Sequence, residues 1–598
     1  MQTKLGIYAT NKINEDFGTN LSIGKVNLSF LGSIALKEVQ IKDHHKDTLI
    51  FVKKISTSLL SVKKVFNNKL LFDAITIEDA FYFMKTYKGE TTNNMSVFTA
   101  SFRSDTPKDS LDLPFILKAN NVYIQNLDLR ISNDNKEKPL NFSATNIGGN
   151  VQDLDIVGAV VALNTRGLYF RTNQDLQVTS FTTNYKFTKS AMTFESTILE
   201  TKNSRLSANI FFTYGRGGLS NFNDKVQIEA EFKESNLKVL DLKKIYSELN
   251  GGDMISFSGK MKGKLNNFNL NNLKLTTEKG IRLDGNLDFK NAVNRERGFI
   301  FNGDLNTLTA SYKKLKNIAP ILLGENLPSE FEKIGQFDVK GKVNIAPSKV
   351  KAILTLKSQI GTVVTDLEIN NGDEIETASY KGDIQFVKFN IGSFLNNPII
   401  GNVSLKGIVK GSGFKLGKMN TKFVGAVSEL NINDYSYHNI IANGQYQNNK
   451  FDGSLVIDDT NLKMKLNGLV DLSTEIHKFD FKSNISYLNL KETNLFTRDT
   501  TAIVKGVIAL DIAGNTFDDI TGIANFKNVR YTNQKEEHRF EEFTLTSSLK
   551  DSIKTIDVAS KDITQGSIKG KFSFSELPRV AQNALGSIYT NYKPYKVE

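Results

Sequence analysis

The side chains able to do chemistry are few and poorly assembled. Five histidines stand at positions 44, 45, 438, 477 and 538, and none falls at the i, i+4 spacing by which two imidazoles on a helix grip one zinc ion. His44 and His45 sit in KDHHKDT, which reads as a polar turn between two strands and not as a metal site. GSGFKLGK at 411–418 has the glycines and lysine of a phosphate loop. It lacks the GxxxxGK[ST] spacing, and Met419 stands where the hydroxyl belongs. No GxSxG nucleophile elbow is present. YGRGG at 214–218 reads as a hairpin turn, and Asp458-Asp459 as turn chemistry at the end of a strand. A chain of 598 residues with no cysteine has no disulfide, no thiol nucleophile and no thiolate-bound metal, and it suits an oxidising compartment. These residues imply no enzyme, no metal and no cofactor.

What such sparse chemistry leaves is the scaffold. In NLKMKLNGLVDLS, residues 461–473, Leu462, Met464, Leu466, Gly468, Val470 and Leu472 share one parity. Lys463, Lys465, Asn467, Asp471 and Ser473 share the other. Alternate side chains of an extended chain point to opposite faces, so this is a strand with one apolar and one wet side. Most of the chain repeats the pattern. An apolar sheet face must be covered by a second sheet, by helices, or by something that is not protein.

A second signature recurs along the strands. Glycine is followed by apolar residues two and four places on: Gly285-x-Leu287-x-Phe289, Gly341-x-Val343-x-Ile345, Gly382-x-Ile384-x-Phe386, Gly453-x-Leu455-x-Ile457, Gly468-x-Val470-x-Leu472, Gly506-x-Ile508-x-Leu510 and Gly570-x-Phe572-x-Phe574. Each glycine takes the apolar parity, where it lets the strand bend toward its apolar face. Repeated bends predict an all-β fold, a long curled antiparallel sheet forming an elongated apolar groove. The motif intervals are irregular, which excludes a propeller or tight β-helix and suits a long meander. Roughly 35 to 45 strands at about 4.8 Å spacing would make a sheet on the order of 150–200 Å long. Short amphipathic helices are expected at 3–17, 236–249, part of 311–335, 387–397 and 577–592, too few to blanket the sheet. The expected divisions are 1–20 as an N-terminal helix, 21–235 as a first groove segment and 236–598 as its continuation.

The groove lining expected from parity is Leu283, Leu287, Phe289, Val343, Ile345, Leu354, Leu356, Val403, Leu405, Leu455, Ile457, Leu462, Met464, Leu466, Val470, Leu472, Phe572 and Phe574. The 76 Lys and Arg against 64 Asp and Glu give a net charge of +12. These charges are scattered singly along strands as a solvated outer face, without the clustered basic patch and stacking aromatics that nucleic acid requires. No segment approaches the ~18 consecutive apolar residues of a membrane-spanning helix. The N-terminus has no signal-peptide apolar core, so the chain is expected to start downstream of a removed anchor.

Several segments in order resemble a known family. SIGKVNLSFLGSIALKEVQIKDHHKDTLIFVKKISTSL at 22–59 resembles the opening of AsmA-like proteins. LPSEFEKIGQFDVKGKV at 327–343, IGTVVTDLEI at 360–369, FNIGSFL at 389–395 and LNINDYSYHNIIANGQY at 430–446 are similar to the middle of the TamB-like branch carried by Bacteroidetes-type bacteria. So are FDGSLVIDDTNLKMKLNGLVDL at 451–472 and SELPRVAQNALGSIYTNYKP at 575–594. The resemblance implies a bridge-type lipid-transfer protein of a Gram-negative periplasm. In that family an N-terminal helix sits in the inner membrane, and a β-groove carries phospholipid toward the outer membrane. The partner it implies is an outer-membrane barrel of the Omp85 class, with help to outer-membrane protein assembly as the alternative role. The family's membrane helix and its barrel-engaging C-terminal domain do not appear between residues 1 and 598, so an N-terminal and central fragment is expected. Two other folds fit the alternation less well: a scaffold whose apolar walls pack on each other, and an outer-membrane barrel with aromatic girdles.

Overall fold

A computed structural model describes residues 10–589, less 12–13, 16–17, 29–32, 60–68, 101–115, 137–139, 216–218, 220, 246–248, 319–328, 372–376, 415–417, 497–498, 517, 563 and 574–575. The described residues form thirty strands and six short α-helices. The chain divides into two compact units, residues 1–327 and 328–598, each holding fifteen of the strands. The segment 236–249, expected as a helix, contains Val239–Ile245 inside the first unit, where the flanking strands Gln227–Lys238 and Met254–Lys264 still pair directly.

Alternating β-branched and charged residues make each strand, and short turns rich in Asn, Asp and Gly join them. Asn433-Asp434 and Asn448-Asn449 both take left-handed backbone conformations, which suits two-residue hairpins. Among the described residues of the second unit every strand pair is antiparallel, from Gln336–Ala346 with Lys349–Ser358 to Ile553–Ser560 with Gln565–Gly570. The first unit departs from the expected pure meander once. Lys69–Thr86 and Ile116–Asn133 run parallel over their full length. Parallel neighbours need a crossover, and residues 87–115 supply it, with helix Asn94–Ala100 in its course. The strands belong to one sheet, which does not close on itself. Among the described residues, Asn20–Leu28 pairs only with Ser33–Lys42, and Gln565–Gly570 pairs only with Ile553–Ser560.

The helices are shorter than the periodicity predicts. Residues 387–390 of the expected helix 387–397 belong to strand Ser379–Asn390, leaving Ile391–Leu395, whose first turn is capped by the Asn390 side chain accepting from the Ser393 amide. The segment 311–335 gives Tyr312–Ile318 and a 3-10 turn at Ser329–Ile334. Leu577–Ile588 forms as expected, and 3–17 lies largely outside the described residues. No helix among the described residues is long and apolar enough to cross a membrane.

Two devices interrupt the regular strand backbone. Gly341 and Gly382 hold φ of +129° and +149°, a region side-chain-bearing residues rarely enter. A Cβ at Gly382 would strike the carbonyl oxygen of Asp366, and one at Gly341 that of Ile353, both on the adjacent strand. The second device went unseen in the sequence. Non-glycine residues inside strands adopt left-handed geometry and bulge the pairing, among them Asn126, Ser196, Asn272 and Lys388. Their freed amides are caught by the neighbouring strand: Ser196 N–H by Asn209 Oδ1, Asn272 N–H by Asn286 Oδ1, Lys388 N–H by Ser404 Oγ.

Two carboxylates stabilise the strand ends of the second unit. Burial pushes the Asp459 carboxyl up. The Tyr435 hydroxyl, the Asn461 and His438 amides and the His438 ring outweigh burial and hold it below the usual range. Asp471, bonded by Ser473 and Lys450, is held down at about 2. A carboxylate whose pKa is lower folded than unfolded contributes stability that is complete above the unfolded value of about 3.9. That stability is lost as pH falls through the folded value. The melting temperature of the second unit should therefore drop between about pH 4 and pH 2. Asp471→Asn, followed by thermal melts across that range, should lower stability at pH 7 and make the acid slope shallower.

Candidate functional site

The register aligns apolar side chains into rows that cross many strands. In the second unit one row runs Val339, Leu356, Val363, Phe386, Leu405, Val427, Ile440, Ile457, Met464 and Ile485, each directly opposite the next. The row beside it passes from Leu354 through Thr365, Ile384 and a pair of glycines to Ala442, Leu455 and Leu466, then Ser483, Ile508, Phe526 and Phe543. A third contains Val343, Ala352, Leu367, Val409 and Phe423, then Gly444, Gly453 and Gly468, then Phe481 and Leu510. Where glycines pair across strands, phenylalanine rings lie over them. Phe423 covers Gly407 and Gly425, and Phe451 covers Gly444 and Gly453, at 2.6–3.2 Å from where a Cβ would stand. A ring laid on paired glycines restores the packing that the missing side chains forfeit.

This face is closed at one margin and more open away from it. Phe389, Val403, Tyr437, Leu462 and Leu488 form a buried cluster with the long row, against which Ile391 and Phe394 of helix Ile391–Leu395 pack. In the adjoining rows Leu354, Leu455, Leu466, Phe481 and Leu510 are only half-buried. Farther out Ile345 is 37% exposed and Ile568 42%. Among the described residues of each unit no second sheet covers the apolar face.

The first unit repeats the arrangement with more aromatic rings. Ile156, Val161, Phe187, Met192, Phe212 and Ile228 form a row that continues through Gly263 to Phe268, Phe289 and Phe301. Phe268 and Phe289 stack at 4.8 Å, and Tyr185 and Phe194 in the next row meet at 5.0 Å. The face is dry enough that burial pushes the phenols of Tyr82 and Tyr185 up to about 12.

Of the residues singled out by parity, Leu283, Leu287 and Phe289 lie on the apolar rows of the first unit. Val343, Ile345, Leu354, Leu356, Val403, Leu405, Leu455, Ile457, Leu462, Met464, Leu466 and Val470 lie on those of the second. Leu472 falls past the end of its strand and is 46% exposed. The last strand stops at Gly570, so Phe572 lies beyond it, its ring 5.6 Å from the Lys554 ammonium, and Phe574 is outside the described residues. Parity counted from Ile485 could not find Leu488, because it follows a bulge that resets the alternation.

The opposite face is charged but not uniformly so. Glu229–Lys262, Glu231–Lys260 and Lys527–Glu542 pair directly across strands; exposed pairs of this kind contribute about 0.2–1 kcal/mol each. It also carries apolar residues, Ile408 opposite Val424 and Ile441 opposite Val456, of which Ile441 is 61% exposed. Consecutive apolar residues such as Ile440-Ile441 are the sequence signal for this, since one of two neighbours must face outward.

Of the other motifs, Asp458-Asp459 resolves as turn chemistry. Asp459 accepts from Tyr435, His438 and Asn461 in one hairpin end. Tyr214 of YGRGG donates to the Thr188 carbonyl, while 216–218 and 415–417 lie outside the described residues. No family model, curated protein or solved structure matches the chain.

Proposed function

We propose that the chain carries lipid along its apolar face, as a bridge-type transfer protein moving phospholipid between the inner and outer membranes of a Gram-negative periplasm. The observation that supports this best is the set of long, mainly apolar rows on the open sheet in each unit, half-buried away from the closed margin yet covered by no second sheet. A buried CH₂ contributes about 0.8 kcal/mol, so acyl chains laid along such rows offset most of the cost of leaving a bilayer. Sliding needs a surface without deep local wells, which long runs of Leu, Ile, Val and Phe provide. The head group stays in water at the open margin. No catalytic residue and no cofactor is required.

The exposed edge strand Gln565–Gly570 favours a second reading. An unpaired edge can template another chain, so the same face would hold apolar strands of an unfolded outer-membrane protein beside an Omp85-class barrel. Native mass spectrometry of the chain purified from Gram-negative cells, followed by lipid extraction, separates the two. Several phospholipids per chain are the expected result. A clean apo mass without extractable lipid overturns lipid carriage, and bound polypeptide would favour assembly.

A further inference from the structure

We propose that His44, His45 and Glu90 form a binding site for one divalent transition-metal ion of the zinc class. One ligand atom from each of the three side chains lies within 4.8 Å of the other two. His44 Nε2 stands 3.1 Å and His45 Nε2 2.7 Å from the Glu90 carboxylate. Two imidazole nitrogens with one carboxylate oxygen are the donor set that zinc takes when water completes its shell. A tetrahedral ion with arms of about 2.0–2.2 Å holds its ligands about 3.3 Å apart, so the ion enters by opening these contacts about half an ångström.

The convergence is built by residues outside the cluster. Asp43, 2% exposed, accepts from the His45 and Asp47 amides and fixes the turn that carries both histidines. Its other oxygen accepts from the Tyr87 hydroxyl at 2.7 Å and from Asn94 Nδ2 at 2.9 Å. Tyr87 stacks on His45 with ring centroids 3.8 Å apart and meets His44 edge-on at 5.6 Å, so both ring planes are set without help from Glu90. Asn135 holds the other wall, donating to the Glu90 and Tyr87 carbonyls and accepting from the Gly89 amide. Lys85, whose ammonium lies 4.3 Å from the centre of the Tyr87 ring, is balanced by Asp47 at 3.7 Å and Asp134 at 3.5 Å. The site opens to solvent, and an ion there would staple the turn at 43–47 to the segment after strand Lys69–Thr86.

The test is isothermal titration of the whole chelator-treated chain with zinc chloride at neutral pH, paired with thermal melts. One saturable ion per chain is expected, raising the melting temperature of the wild type by mass action. Glu90→Gln should weaken binding at least about tenfold, and the double variant His44→Gln, His45→Gln should abolish both the binding and the zinc-dependent melting shift. Melts without zinc establish that the variants are folded, since the hydrogen bonds of Asp43 to the turn amides, Tyr87 and Asn94 involve none of the three side chains. Absence of saturable binding in the wild type, or binding unchanged in the double variant, overturns the site.

Discussion

Gly382→Val should destabilise the second unit by about 2–6 kcal/mol, the sum of ~1–3 for the strained backbone and ~1–3 for overpacking. Gly382 sits between Leu367 and Val409 on the apolar rows with φ +149°, and a Cβ there collides with the Asp366 carbonyl, which is backbone and cannot swing aside. Valine is otherwise the residue a strand prefers, so propensity alone predicts a gain. Gly566→Val is the control, since a Cβ there meets nothing within 4 Å. Urea unfolding should therefore show a large loss at 382 and little change at 566. Equal effects would mean that the glycines are not where adjacent strands come close.

The alternation in the sequence made the strands and their apolar face legible, because the period of two is a local property and many hairpin turns are written in Asn, Asp and Gly. Three features were not legible, each for a physical reason. The parallel pair Lys69–Thr86 with Ile116–Asn133 depends on a crossover that leaves no local trace, so alternation reads the same for either direction. Bulges at Ser196, Asn272 and Lys388 are held by acceptors from the neighbouring strand, Asn209, Asn286 and Ser404, which no one-strand pattern reveals. The convergence of Glu90 on His44 and His45 joins residues far apart in sequence through a turn whose polar letters look ordinary. The seven apolar-parity glycines within strands were visible as a motif, but only the paired backbones explain why Gly341 and Gly382 need positive φ while Gly453 and Gly468 need only a close neighbour.

Two aspartates placed on the apolar rows should separate a binding face from a packed core. Leu466 is half-buried, flanked across the strands by Leu455 and Ser483, whereas Ile440 is 4% exposed between Val427 and Ile457 in the cluster closed by helix Ile391–Leu395. Ile440→Asp buries an unpaired carboxylate and should cost several kcal/mol, about enough to unfold the unit. Leu466→Asp leaves the charge within reach of water and should keep the unit folded by circular dichroism. The same carboxylate interrupts the apolar track. Losing two or three CH₂ contacts at about 0.8 kcal/mol each, and facing any acyl chain with a charge, should cut bound phospholipid at least about tenfold. Leu287→Asp, between Leu270 and Gly303, should do the same in the first unit. If Leu466→Asp unfolds as readily as Ile440→Asp, the rows are an ordinary core and the walls pack on themselves. If both fold and the lipid content is unchanged, the acyl chains lie elsewhere. Only a folded Leu466→Asp variant stripped of lipid fits a face whose missing partner is lipid.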